Sequence, residues 1–210
     1  MSIRRQRGLT IIELVMFMVI MGIAAAGIIG VLNLGTKSSA DPLRRKQAML
    51  IAEAYMEEVQ LAPFTFCSSD DDPLVATAVT QSDCKIQAGV GTRAAGAARP
   101  YTNVAEYATQ LNTPQPTFAV NGVDRDVNGR ALGQDENLNT MGNSSLGAIT
   151  TTVTLNLLAP AGALGPNGRQ IVSTAINLQA LRITIVTRYG NGPNDFIQLD
   201  GYRTRYAPNN

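Results

Sequence analysis

The feature that most constrains this chain is an uncharged run from Leu14 to Thr36. At a rise of about 1.5 Å per residue, a helix over that run can cross a hydrocarbon core of about 30 Å. Arg4, Arg5 and Arg7 stand ahead of it, Gly8 follows them, the apolar residues begin at Leu9, and Glu13 interrupts them. A secretory signal peptide is the competing reading, because Ala24, Ala25 and Ala26 satisfy a small-residue cleavage rule behind a basic start. The apolar run continues well past those alanines, however, and Glu13 would fall where an acid is penalised by roughly 2.5–3.5 kcal/mol. Residues 9–36 therefore read as a membrane helix.

Charge alone does not orient that helix, since Lys37, Arg44, Arg45 and Lys46 on its far side offset the arginines ahead of it. The cysteines help. The chain has two, Cys67 and Cys84, outside any Cys-x-x-Cys pair or metal-ligand pattern. An even count closing a modest loop fits a structural disulfide in an oxidising compartment, contributing roughly 3 kcal/mol; two buried free thiols are the alternative. A disulfide places the C-terminal part in the periplasm and the short basic N-terminus in the cytoplasm of a bacterial inner-membrane protein.

Composition removes several function classes. The 210 residues suffice for one anchoring segment and one domain of ordinary size. Lys plus Arg number 17 against 16 Asp plus Glu, so no nucleic-acid partner is suggested. Histidine and tryptophan are absent, which takes away the commonest general base and zinc ligand and every Ser-His-Asp arrangement. No G-x-S-x-G nucleophile motif is present, and the chain does not read as an enzyme or as the holder of a cofactor.

Asp41 and Pro42 can open a helix that runs to about Leu61, where Pro63 stops it; the break ahead of Pro42 marks either a new helix or a kink within one long one. Ala48, Ile51, Ala52, Tyr55 and Val59 form its apolar stripe. Residues 62–146 are rich in small and turn-forming types and read as loops, with one short helix in "NVAEYATQL". The acids Asp70, Asp71 and Asp72 read as a solvated loop. Beyond them the period becomes two: "AITTTVTLNLL", "LRITIVT" (181–187) and "FIQLDGY" (196–202) predict an antiparallel meander. Helix first and sheet later is an α+β domain.

Basic residues, Gly8, "LTIIELV" and a long apolar run together resemble the class III signal of type IV pilins and of the pseudopilins of type II secretion. That resemblance implies a leader of residues 1–8, a transmembrane and assembly helix over 9–36, and a periplasmic pilin-like domain over 37–210. It further implies cutting between Gly8 and Leu9 by a prepilin peptidase, with N-methylation of Leu9. Leu9 departs from the family's usual phenylalanine. Glu13 matches the family's assembly glutamate, whose partner is the amine of a neighbouring subunit's first residue. Other pilins and an inner-membrane assembly platform are the implied partners. "SADPLRRKQAMLIAEAYMEEV" and "LDGYRTRYAPN" are similar to minor pilins of the mannose-sensitive haemagglutinin (MSHA) type.

"DRDVNGRALGQD" adds a separate possibility. Asp124, Asp126 and Asn128 alternate, Gly129 follows, and Asp135 takes the twelfth place, a spacing that resembles an EF-hand calcium loop. Flanking helices are not evident, and "DVNG" by itself is an ordinary Asn-Gly hairpin turn.

Overall fold

The computed structural model describes residues 10–68, 72–93, 96–134, 137, 139, 149–158, 165–166, 170–171, 173–175 and 177–205, with the backbone alone over 32–41. The chain divides into two compact units, Met1–Arg44 and Arg45–Asn210. Helix α1, Ile11–Leu61, contributes to both and carries Pro42 inside it. Of the two readings offered for the break at Pro42, one long helix is the one observed. Proline removes a backbone donor, but its φ near −65° is helical, so the helix loses a bond there without ending.

Within Arg45–Asn210 the last turns of α1 bury one face. Ala48, Ala52, Tyr55, Met56, Val59 and Ala62 are buried at three- and four-residue steps, as an amphipathic helix requires. They pack into a core with Leu155, Leu181, Ile183 and Ile185 of a three-stranded antiparallel sheet. Its strands are β3 (Thr150–Leu157), β4 (Ala180–Arg188) and β5 (Phe196–Thr204), in the order β3-β4-β5. The predicted meander is therefore present, and the α+β class with it. Leu181, Ile183, Ile185 and Thr187 of the central strand alternate inward, while Arg182 and Arg188 are exposed. Helix and sheet meet closely at Gly201, where a Cβ would lie 2.5 Å from Gln60 Nε2 and 2.9 Å from Met56 Sδ.

The described residues between 62 and 134 are mostly loop, held by particular bonds. The backbone of Gln115 exchanges two hydrogen bonds with Val153, and the Asn112 N–H donates to the Leu155 carbonyl. These cover the free edge of β3, which would otherwise invite pairing with another chain. A hairpin of β1 (Ala119–Val120) and β2 (Val123–Asp124) went unseen in the sequence, since two-residue strands leave no period to detect. The helix expected in "NVAEYATQL" is reduced to a 3-10 turn over Val104–Tyr107, capped by Asn103, whose Oδ1 accepts the Ala105 N–H at 3.0 Å. Cys67 and Cys84 are joined by a disulfide.

Candidate functional site

The first turn of α1 carries the sequence's most unusual residue. Glu13 lies in an exposed apolar stretch, and the structure gives it a local partner. The Thr10 N–H and hydroxyl each donate to Glu13 Oε2 at 3.3 Å, and the Glu13 N–H donates to Thr10 Oγ1 at 3.4 Å. This is a reciprocal capping box, in which cap and third helical residue satisfy each other's orphan amides. The signal was legible as Thr-x-x-Glu ahead of an apolar run, and sequence reasoning passed over Thr10. Gly8 and Leu9 lie outside the described residues. The described helix begins at Ile11, and Glu13 lies in its first turn, four residues in sequence after Leu9.

Behind Glu13, Ile11–Val31 is a 21-residue span of mean hydropathy 2.6, none of it buried. Ile11 is 84% exposed, Ile23 71% and Val31 69%. An apolar surface so large on a helix whose backbone bonds are satisfied internally belongs in lipid or against other apolar helices.

In the Arg45–Asn210 unit, a buried polar cluster ties α1 to the loops. Glu58 and Arg99 form an ion pair at 3.1 Å, with side chains only 9% and 8% exposed. The Tyr107 hydroxyl donates to Glu58 Oε1 at 2.9 Å, and the Tyr55 hydroxyl donates to the Arg125 carbonyl at 2.9 Å. Arg99 also donates to the carbonyls of Arg125 and Asp126, and lies over the rings of Tyr55 and Phe118. Burial and the neighbouring Glu58 carboxylate push the Tyr107 hydroxyl's pKa well above its ordinary value. Nothing in this cluster is poised as nucleophile and base; it is a brace.

The residues of the calcium-like spacing take different places. Asp124, at the end of β2, is 1% exposed, and neither of its oxygens has a well-formed hydrogen bond. Burial raises its pKa, an effect that the hydroxyl and amide of Thr151 and the charge of Arg99 only partly offset. Asp126 Oδ1 instead accepts the N–H groups of Asn128 at 2.9 Å and Arg130 at 2.8 Å, closing a turn with Gly129 at φ +80°. Asp135 lies outside the described residues.

Asp124→Asn follows from this burial as a test. A raised folded pKa means that the native state holds the proton more tightly, so the penalty for ionising Asp124 is full above that pKa and absent below about pH 3.9. The variant has no charge to desolvate, so its stability relative to the wild type is expected to be greater at pH 7 than at pH 4. Urea unfolding across this range checks it, and a gain that grows on acidification would contradict it.

Asp72 departs from the reading of its acid run as a solvated loop, while Asp70 and Asp71 lie outside the described residues. Asp72 is buried and accepts the Ile86 N–H at 2.7 Å and the Leu74 N–H at 2.9 Å, which lower its pKa. The pair Asp72-Pro73 was a turn signal. Among the described residues, Cys67, Asp72 and Cys84 bring three metal-ligand atoms within 4.8 Å of one another. Both sulfurs are spent in the disulfide and the carboxylate on amides, so the trio anchors a loop.

Residues 3–29 match the family model of the prokaryotic N-terminal methylation motif. The chain carries the prepilin-type signal. This motif supports a type IV pilin-like or pseudopilin-like protein, and together with the apolar helix it fits membrane anchoring. No curated protein and no solved structure matched the chain.

Proposed function

We propose that this chain is a minor pilin of a type IV pilus of the MSHA type. In this reading it sits in the inner membrane with a cytoplasmic N-terminus and a periplasmic C-terminal domain. A prepilin peptidase cuts it between Gly8 and Leu9 and methylates the new amine. An inner-membrane assembly platform then moves it into a filament, at low copy or as an initiating subunit. The observation that carries the reading is the methylation motif laid over an exposed apolar helix. The MSHA type rests on the resemblance of "SADPLRRKQAMLIAEAYMEEV" and "LDGYRTRYAPN" alone.

The role of Glu13 follows from its cost. In packed apolar helices a lone carboxylate is expensive unless it meets a cation. The terminal amine freed at Leu9 of a neighbour, staggered by about one helical turn, supplies one. A neighbour that still carries its leader has no amine at Leu9, so contact and processing are coupled.

A minor pseudopilin of type II secretion is the second reading, because it carries the same motif. Neighbouring genes separate the two: retraction and pilus genes favour the first, a secretin with secretion partners the second. A membrane-anchored binding domain or enzyme stands further off, and predicts that Glu13 is dispensable. We read residues 126–130 as a hairpin turn rather than part of a calcium site, and propose no cofactor. Gly8→Val tests the processing step. It should leave the longer precursor in the membrane on a blot, whereas normal trimming of that variant would overturn the assigned cut.

A further inference from the structure

The three-stranded sheet of the Arg45–Asn210 unit has two edges, and only one of them is covered. Asn112 and Gln115 bond to β3 and close that side. Among the described residues, no strand or bridge pairs with the outer edge of β5, Phe196–Thr204. Its nine residues run in unbroken register with β4, with neither a bulge nor a proline to blunt the edge. Such an edge presents a row of unpaired N–H and C=O groups, a template for one more strand.

The side chains of β5 define what fits beside it. Ile197 and Leu199 pack against the core but are only partly buried, so apolar neighbours on an added strand would finish covering them. Farther along the same face, Arg203 donates to the Ala62 carbonyl at 3.4 Å. Its Nε has no hydrogen-bond partner, and among the described residues no acid pairs with it. Gln198, Asp200, Tyr202 and Thr204 on the opposite face are exposed.

A second copy of this chain does not meet these requirements. Two β5 strands paired antiparallel over their full length would set Asp200 against Asp200 and Arg203 against Ile197. Like charges directly opposite are destabilising, and Arg203 would still lack an acid. Pairing them parallel and in register would set Arg203 beside Arg203.

We propose that the free edge of β5 takes up an extended segment of a different protein, paired antiparallel as an added strand. The segment carries an acid opposite Arg203 and apolar residues opposite Leu199 and Ile197. Antiparallel pairing reverses the order, and alternate residues share a face. Along the partner, the acid is therefore followed four and six residues later by apolar side chains. Main-chain bonds supply the affinity and the side chains the selection. A heterologous partner suits a subunit used at low copy, and the contact goes beyond the pilin reading without depending on it.

The probe is a fluorescent synthetic nonapeptide with glutamate second, alanine fourth, lysine fifth, valine sixth, isoleucine eighth and threonine elsewhere. It is titrated with the full chain in detergent and followed by anisotropy, which should rise to saturation. Lysine in place of the glutamate should weaken binding by about tenfold or more, and Arg203→Glu should weaken binding of the original peptide by a similar factor. The two changes together should restore it, which also reports that the variant has folded. N-methylation of alternate peptide residues should abolish binding in one phase and spare it in the other, because N–H groups along a strand alternate between its two edges. Equal effects in both phases would overturn strand addition. So would the absence of saturable binding, or equal binding of a scrambled peptide. Protection of β5 amides from hydrogen exchange that grows with protein concentration alone would assign the edge to a second copy and overturn the proposal.

Discussion

Glu13→Val should leave removal of the leader intact and lower incorporation into filaments by roughly a hundredfold. In the proposed assembly this carboxylate neutralises the amine at Leu9 of a neighbour among apolar helices. Removing one partner of a buried pair leaves the other charge uncompensated, at a cost of about 3–5 kcal/mol. The lower figure already corresponds to about a hundredfold. The capping box adds a second effect, because Glu13 Oε2 also accepts the N–H and hydroxyl of Thr10. Glu13→Gln separates the two. Glutamine keeps an acceptor for the cap, as Gln does in other capping boxes, but carries no charge. If charge is what assembly requires, Gln fails nearly as badly as Val. Full incorporation of Glu13→Gln would assign the residue to helix capping alone, and full incorporation of Glu13→Val would remove its assembly role.

Arg99→Ala is the most damaging single change expected in the Arg45–Asn210 unit. It strands Glu58, 9% exposed, without its cation, and strips donors from the carbonyls of Arg125 and Asp126. A loss of about 3–5 kcal/mol follows, roughly a 10 °C fall in melting temperature for a chain of this size. Adding Glu58→Gln to Arg99→Met should recover part of that loss, since a buried pair replaced by neutral groups of similar volume costs far less than a broken one. The measurement is thermal unfolding of the full chain in detergent. A shift for Arg99→Ala within about 1 °C would mean that the pair is solvated and does not brace the loops.

The readability of this chain followed the strength of its periods. A run free of charge from Leu14 to Thr36 can mean few things, and the helix is there. The alternation in Leu181, Ile183, Ile185 and Thr187 gave the central strand and its inward face, because burial of one side of a sheet requires a period of two. Nothing comparable marks residues 62–134. Their order comes from contacts between residues distant in sequence: Tyr55 stacked on Phe118 at 3.9 Å, Arg99 on Glu58, Gln115 on Val153. No local pattern encodes such pairs. Asp72 was misread for the same reason, since a carboxylate looks solvated until the amide of Ile86, fourteen residues on, is folded against it. Thr10 was legible and overlooked. At the candidate site, the residue types were apparent from the motif, whereas the reciprocal bonds between Thr10 and Glu13 emerge only in the folded chain.

Cutting and methylation as a prepilin would leave their mark on the N-terminus of this chain. The wild-type protein is recovered from cells with and without a prepilin peptidase, and its N-terminal peptide is weighed by mass spectrometry. The expected result is a peptide beginning at Leu9 and carrying one methyl group when the peptidase is present, and the uncut sequence containing Gly8 when it is absent. The same uncut N-terminus in both, or a cut near Ala26, would contradict it.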